Sequence, residues 1–274
     1  MTNPLYNPSA DPFAIAREAA MQIEYITSVP KHDIALTLGS GWGLTADRLG
    51  EVTHTIDATE IVGFNASQVA GHTGTLKSVL LPNGKRVLII GARTHYYEGH
   101  GVRPVVHSVR TAAACGAKTM VLTNGAGSIR PEWIPGTVIL LRDHINLTAD
   151  SPLEGATFVD LTDLYSPTLR HIAHEVDHTL PAGVYVQNRG PHYETPAEVK
   201  YADIIGGDIV GMSTALEAIA AREAGMEVLG LSLITNHAAG TVTNEALNHA
   251  EVLQTGKENE VRLAGLLSNI IHRI

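Results

Sequence analysis

Ten consecutive residues, 91–100, place a dense run of polar side chains between glycines. The segment reads Gly91-Ala92-Arg93-Thr94-His95-Tyr96-Tyr97-Glu98-Gly99-His100. Arg93 offers a rigid fork of hydrogen-bond donors and His95 a titratable donor, a combination that suits an anionic small molecule. A polar surface loop is the alternative interpretation, since loops are where polar residues normally lie.

Three other apolar runs lead into glycine-rich or polar segments in the same way. The four predicted strands and the segments after them are Ile34–Leu38 with Gly39-Ser40-Gly41, Val87–Ile90 with residues 91–100, Met120–Leu122 with Thr123-Asn124-Gly125-Ala126-Gly127-Ser128, and Val228–Ile234 with Thr235-Asn236-His237. In open α/β sheets, ligands bind beyond the carboxyl ends of strands. Glycines there let backbone N–H groups approach an anion closely. We therefore expect the four segments to converge on one site.

The first helix has clear start and stop signals. Asp11 is a suitable N-cap, Pro12 fits the first helical position, and Pro30 ends the segment. The apolar stripe predicted to pack on the core consists of Ile15, Ala19, Ile23 and Ile26.

The remaining elements alternate between strands and helices. Further strands are predicted at Val138–Leu141 and Val184–Gln187, and helices at Pro104–Cys115, Pro167–Thr179, Pro196–Gly206, Thr214–Ala224 and much of Asn244–Ile274. Apolar strands separated by helices indicate a sheet covered on both faces. Because composition does not change along the chain and no linker stands out, residues 1–274 are predicted to form a single α/β domain. Its central sheet is expected to be mixed, mainly parallel and flanked by helices.

Composition excludes several classes of partner. The 274 residues carry a formal charge of −9, which argues against nucleic acid or an anionic membrane as partner. Cys115 is the single cysteine, so no internal disulfide can form, and we expect a buried thiol. Met1–Pro12 lacks the features of a signal peptide, and no window approaches 18 apolar residues. We therefore expect a cytoplasmic protein.

Three motifs match known signatures only in part. The glycine run at 39–41 lacks the third glycine of the dinucleotide fingerprint, since position 44 is Leu44. Gly211-Met212-Ser213-Thr214-Ala215 resembles a serine nucleophile elbow, but no strand is evident before the serine. His174-Glu175-Val176-Asp177-His178 matches the zinc-protease pattern, but on a polar helix closed by Pro181, so a solvated surface helix and no metal are expected.

Taken together, the motifs resemble one family. They are Gly39-Ser40-Gly41, Arg93 with His95, Asn124-Gly125-Ala126-Gly127, Gly190-Pro191-His192-Tyr193-Glu194-Thr195, Gly211-Met212-Ser213-Thr214 and Thr235-Asn236. From about Ile34 to Leu253 the chain resembles the trimeric, low-molecular-mass purine nucleoside phosphorylases, above all the bacterial ones. The resemblance implies a pentosyltransferase that splits purine (deoxy)ribonucleosides reversibly into free base and (deoxy)ribose 1-phosphate. It also implies a homotrimer with no cofactor, inorganic phosphate being a co-substrate.

The resemblance assigns roles residue by residue. The implied phosphate ligands are Ser40, His72, Arg93, Thr94, His95, the Gly125 backbone and Ser213. The implied nucleoside ligands are Tyr97 and Met212 at the ribose hydroxyls, His249 at the 5′-hydroxyl, Glu194 and Asn236 at the purine, Tyr193 near base and sugar, Val210, and Phe158 donated across the trimer interface. Asn236, Glu194 and His95 are the implied catalytic residues.

Elementary chemistry agrees with these implied roles. Cleavage of a glycosidic bond passes through an oxocarbenium-like sugar, and glycosidases supply two carboxylates there. With phosphate as the nucleophile no carboxylate pair is needed at the sugar. Asn236 can hydrogen-bond purine N7 as negative charge develops on the base. An ionised Glu194 accepts from the N1–H of a 6-oxopurine, which adenine lacks, so we expect inosine and guanosine to be preferred over adenosine.

The chain departs from the family pattern at two places, and two alternative functions are left to test. The family usually has Ala-Ala-Gly-Gly where this chain has Gly125-Ala126-Gly127-Ser128. His237 lies next to the purine-reading asparagine and either approaches the base or stays outside the pocket. A 5′-methylthioadenosine phosphorylase of the same fold would want an aspartate at the base and an apolar 5′ pocket, and Asn236 and His249 disagree with both. A catalytically inactive purine- or phosphate-binding protein is the second rival.

Overall fold

The computed structural model describes residues 3–66, 73–242 and 247–274. Within these residues nine strands form one sheet: β1 Ile34–Thr37, β2 Glu51–Asp57, β3 Thr75–Leu80, β4 Arg86–Ile90, β5 Thr119–Ser128, β6 Val138–Asn146, β7 Ala182–Gln187, β8 Ile209–Gly211 and β9 Glu227–His237. The strand order is β2-β3-β4-β1-β5-β8-β7-β6-β9. Because β5 also pairs with β9, the last five strands close into a ring.

The sheet is mixed and mainly parallel, as predicted. Among the described strands, the parallel pairs are β1–β4, β1–β5, β5–β9, β6–β7 and β7–β8. The antiparallel pairs are β2–β3, β3–β4, β5–β8 and β6–β9. The central parallel strands carry the near-continuous apolar runs, because both of their faces are covered.

Helices cover the sheet on both faces. Across the same described ranges they are α1 Pro12–Thr27, α2 Ala46–Leu49, α3 Val102–Ala114, α4 Pro167–Val176, α5 Pro196–Ile204, α6 Ala215–Glu223 and α7 His249–Ile271. One apolar cluster joins α1, α3 and α6 to the sheet and a second joins α4 and α7 to it. On β1, Ala35 packs in the first cluster whereas Ile34 and Leu36 pack in the second. This is the alternation that a strand imposes.

Helix α1 begins as its sequence predicts. The Asp11 side chain accepts a hydrogen bond from the Phe13 backbone, and the helix ends at Thr27. Ile23 is fully buried, but Ile26 in the last turn is 40% exposed. The buried stripe is therefore shorter than predicted.

Strands β2, β3 and β8 have no counterpart in the sequence prediction. Strand β2 is an edge strand of the sheet, and Ile56 is its one buried residue. Its sequence therefore contains no apolar run that would predict a strand. Strand β8 has only three residues, Ile209–Gly211, too few to show a period.

Strands β5 and β9 extend beyond their apolar runs into the polar segments. Ala126 pairs with Ile234 but Gly127 pairs with Asn236, so Thr235 is the extra residue of a β-bulge. The polar residues predicted to follow these strands lie within them instead. A bulge re-aims neighbouring side chains, and this one lies where the candidate site forms.

Two remaining expectations concern Cys115 and membrane spans. Cys115 is buried, and burial raises the pKa of its thiol to about 12, which makes it unreactive. In the part of the chain that the structure describes, we find no helix with the length and apolar character that a bilayer crossing requires.

Candidate active site

The four polar segments converge on one cavity. Of the fifteen residues that the resemblance assigns, twelve line it: Ser40, Arg93, His95, Tyr97, Gly125, Tyr193, Glu194, Val210, Met212, Ser213, Asn236 and His249. The walls come from the segments after β1, β4 and β7, from β8 and the segment after it, from the bulged pair β5 and β9, and from the start of α7.

Three assigned residues are not part of this wall. Thr94 is buried but lies outside the lining, because in extended chain alternate side chains face opposite sides and its neighbours Arg93 and His95 face the cavity. Its assignment as a phosphate ligand stays a prediction. Phe158 lies outside the lining and is 95% exposed. His72 lies outside the described residues.

The Arg93 guanidinium is held by the protein itself. Its Nε donates to both Glu217 carboxylate oxygens, at 3.1 and 3.0 Å, and Nη2 donates to the same carboxylate. Nη1 donates to the Thr123 carbonyl at 2.8 Å and Nη2 to the Thr214 hydroxyl at 3.0 Å. Contacts with described residues thus engage four of its five N–H groups. The guanidinium edge that was expected to bind an anion donates to Glu217 instead. One Nη1 N–H remains for a ligand.

Arg93 and Glu217 form a buried ion pair. Each side chain is only 1% exposed, so the pair is shielded from water. Removing one member of such a pair leaves an uncompensated charge in a poorly solvated place. The sequence prediction missed Glu217, although Thr214 three residues earlier makes a capping box with it.

Thr214 adopts a backbone conformation that non-glycine residues avoid. Its φ is +85°, and such strain costs on the order of 1–3 kcal/mol. The hydroxyl accepts from Arg93 and from the Asn124 amide at 2.8 Å, while its backbone N–H donates to Glu217 at 3.0 Å. These contacts hold the turn that brings the preceding residue, Ser213, to the cavity wall.

Ser213 does follow a strand, contrary to the prediction. Strand β8 ends at Gly211, two residues earlier. The Ser213 backbone N–H donates to the phenol of the fully buried Tyr185 at 3.2 Å, and its hydroxyl lies 3.3 Å from that of Thr214. These recorded neighbours are a phenol and a hydroxyl, so the arrangement differs from a serine–histidine pair.

Glu98 braces His95. Its carboxylate accepts from the His95 backbone N–H at 2.6 Å and contacts the ring Nδ1 at 3.2 Å. Burial raises the pKa of Glu98, but hydrogen bonds from His95 outweigh it and hold this pKa below its usual range. Tyr97 stacks on the His95 ring, with ring centroids 4.8 Å apart. Burial raises the pKa of Tyr97 to about 12, so its phenol stays neutral.

Glu194 and Asn236 provide the polar groups assigned to the purine. Burial raises the pKa of Glu194, whose Oε1 accepts from the Asn188 amide at 2.7 Å. The Asn236 amide accepts from the Thr235 hydroxyl at 2.8 Å and donates to the His237 carbonyl at 2.9 Å. His237 is partly buried and is not among the described residues that line the cavity. It contributes its carbonyl, which orients Asn236.

Close backbone packing positions the loop that carries Ser40. A Cβ atom on Gly256 of α7 would lie 2.6 Å from the Gly41 Cα, closer than real Cβ contacts allow.

A Cβ on Gly125 would lie 3.1 Å from the Thr235 methyl group. The Thr235 methyl group therefore leaves little room for the alanine that the family usually has at this position.

The zinc-protease pattern is divided by a helix end. Helix α4 ends at Val176, so His178 lies beyond it and does not share a helical face with His174. In the described ranges no group of three His, Cys, Asp or Glu side chains is arranged to hold a metal ion.

Comparison with known proteins gives consistent matches. A family profile described as "Phosphorylase superfamily" matches residues 33–272. The chain is 57% identical to the purine nucleoside phosphorylase of Cellulomonas sp over 99% of this chain and 98% of that protein. Crystal structures of Schistosoma mansoni purine nucleoside phosphorylase match this chain with a TM-score of 0.87. The match covers 96% of the Schistosoma chain. The inosine complex is 31% identical over 95% of this chain, and the adenosine complex 32% identical over 94%.

Proposed function

This chain belongs to the purine nucleoside phosphorylases of the phosphorylase superfamily, and we propose that it catalyses reversible phosphorolysis of 6-oxopurine (deoxy)ribonucleosides. The products are the free purine and (deoxy)ribose 1-phosphate. One observation supports this most: a single cavity brings the Ser40 loop and Arg93 together with Glu194 and Asn236. The first pair suits an anion and the second suits a purine edge.

Phosphate is the proposed nucleophile and co-substrate, with no cofactor. The remaining Arg93 N–H, the Gly125 backbone N–H and the hydroxyls of Ser40 and Ser213 are its proposed donors. The Arg93–Glu217 ion pair supports a rigid donor rather than a mobile charge at this end. His95, oriented by Glu98, is the proposed titratable donor to phosphate.

The purine end is proposed to stabilise the departing base. As the glycosidic bond breaks, the sugar gains oxocarbenium character and negative charge builds on the purine. The Asn236 amide is already fixed by two hydrogen bonds, so it can donate to N7 with little reorganisation. An ionised Glu194 accepts from N1–H, which selects inosine and guanosine over adenosine.

The sugar contacts complete the proposed site. Tyr97 and Met212 are assigned to the ribose hydroxyls and His249 to the 5′-hydroxyl; all three line the cavity. The 95% exposure of Phe158 supports a homotrimer in which a second copy covers this aromatic side chain. We also propose one domain across residues 1–274 and a cytoplasmic location.

Initial rates test the proposal. Purified protein is assayed on inosine, guanosine, adenosine and 5′-methylthioadenosine, each with and without phosphate. Inosine and guanosine should be cleaved only with phosphate, and the two adenine nucleosides far more slowly. Comparable turnover of inosine and adenosine would refute the assigned specificity.

A further inference from the structure

Asn188 is fixed next to the base-reading carboxylate, and the family resemblance gives it no role. It follows β7 directly, and its backbone N–H donates to the Gly211 carbonyl at 2.8 Å. Its side-chain amide donates to Glu194 Oε1 at 2.7 Å. The amide is therefore anchored by the β7–β8 pairing and held against one oxygen of Glu194.

The chemistry of this contact favours one form of Glu194. An ionised carboxylate only accepts hydrogen bonds, and donation to it is stronger than donation to a neutral group. The N–H of Asn188 therefore stabilises the carboxylate and holds Oε1 in place. No cationic side chain pairs with Glu194 in the ion pairs recorded among the described residues.

The other groups around Glu194 act in both directions. Burial, the largest effect, and the Glu198 carboxylate on α5 raise the Glu194 pKa, whereas its own backbone N–H, the Asn188 amide and His192 lower it. The phenols of Tyr185 on β7 and of neighbouring Tyr193 also interact with its charge. Of these groups, Asn188 is the one whose side chain donates a hydrogen bond to the carboxylate.

The protonation state of Glu194 decides which purine it fits. An ionised Glu194 accepts from the N1–H of hypoxanthine or guanine. A neutral carboxyl can instead donate to N1 of adenine and accept from its amino group. We propose that Asn188 is a specificity-determining residue that holds Glu194 ionised and oriented, and thereby sets the preference for purines with an N1–H. This inference rests on the proposed function, in which Glu194 reads the base.

Equilibrium binding of free bases tests the inference without requiring turnover. Hypoxanthine and adenine are titrated calorimetrically into wild-type protein, Asn188→Asp and Asn188→Leu, between about pH 5 and about pH 8. Asn188→Asp keeps the side-chain shape but replaces the donor by a second carboxylate. We expect the pH at which hypoxanthine preference is lost to rise by about one unit in Asn188→Leu and further in Asn188→Asp.

Controls separate charge from packing. Gln254 makes a similar amide-to-carboxylate contact with Glu258 at 2.7 Å on the exposed face of α7, so Gln254→Leu should leave the preference unchanged. If Asn188→Asp follows the wild-type pH curve, Asn188 only fills space and the inference is overturned. If wild-type protein binds hypoxanthine no better than adenine at any pH, the proposed function itself fails, and that result appears in the wild-type arm alone.

Discussion

Two glutamates serve the two ends of the cavity, and their surroundings differ. Glu217, beneath the proposed phosphate end, is 1% exposed and accepts from Arg93 through two nitrogens and from the Thr214 backbone. Glu194, at the base end, is partly buried and accepts from the neutral Asn188 amide, and burial raises its pKa. The first carboxylate is matched by a cation and stabilises the fold, whereas the second is partly dehydrated without one. A carboxyl group held in such surroundings without a cationic partner is typical of a functional site.

The largest effect is expected at Glu217. Glu217→Gln keeps the size but leaves the Arg93 charge uncompensated, which should lower the free energy of unfolding by about 3–5 kcal/mol. The misaligned guanidinium should also raise the KM for phosphate more than the KM for inosine. Urea unfolding and steady-state kinetics measure the two effects. A variant with wild-type stability would contradict the structural role of this ion pair.

Glu194→Gln should have the opposite effect on stability. Replacing the charged acceptor for N1–H by a neutral amide should reduce kcat/KM for inosine by about 10²–10³-fold, the range found when one transition-state hydrogen bond is removed. Because the charge is partly dehydrated in the folded state, a neutral amide should raise the melting temperature near pH ~7. Thermal melting beside the kinetics checks this. If Glu217→Gln and Glu194→Gln both lower the stability, the proposed difference between the two glutamates is wrong.

The sequence alone does not predict most of this difference between the surroundings of Glu217 and Glu194. Arg93 is predicted as a ligand group from its residue type and Glu194 from the family resemblance. The rule that ligands bind at strand ends correctly brings four segments together. Glu217 lies 124 residues from Arg93, and a glutamate in a helix gives no sign of its partner. The capping box that Thr214 forms with it was the available signal. Asn188 carried no motif, and the polar edge strand β2 carried no apolar period.

The phosphate end depends on a backbone contact that a methyl group would break. Gly256→Ala must push the Gly41 loop away from α7, so we expect a loss of about 1–3 kcal/mol in stability and a higher KM for phosphate.

Gly265→Ala is the matched control in the same helix. A Cβ there meets no heavy atom within 4 Å, so its higher helix propensity should add up to about 1 kcal/mol. Equal phosphate KM values in the two variants would show that the contact with Gly41 does not position the Ser40 loop.

The smallest effect is a pH dependence at the base end. The folded-state pKa of Glu194 is raised above the usual value of about 4.3, so the folded state holds this proton more tightly than the unfolded chain. As pH rises from about 4.3 through the folded pKa, Glu194 ionises and its contribution to the free energy of unfolding falls. Over the same window kcat/KM for inosine should rise. Rate profiles of wild type and Glu194→Gln check this, and a wild-type acid limb that persists in the variant would assign it to another group.

We propose that one cavity holds phosphate and a 6-oxopurine nucleoside together. The most direct test follows inosine and inorganic phosphate with the wild-type protein by ³¹P NMR, while the released base is measured by absorbance. We expect one sugar 1-phosphate to form, and one inorganic phosphate to be consumed, for each hypoxanthine released. Hypoxanthine release with free ribose and unchanged phosphate would contradict it.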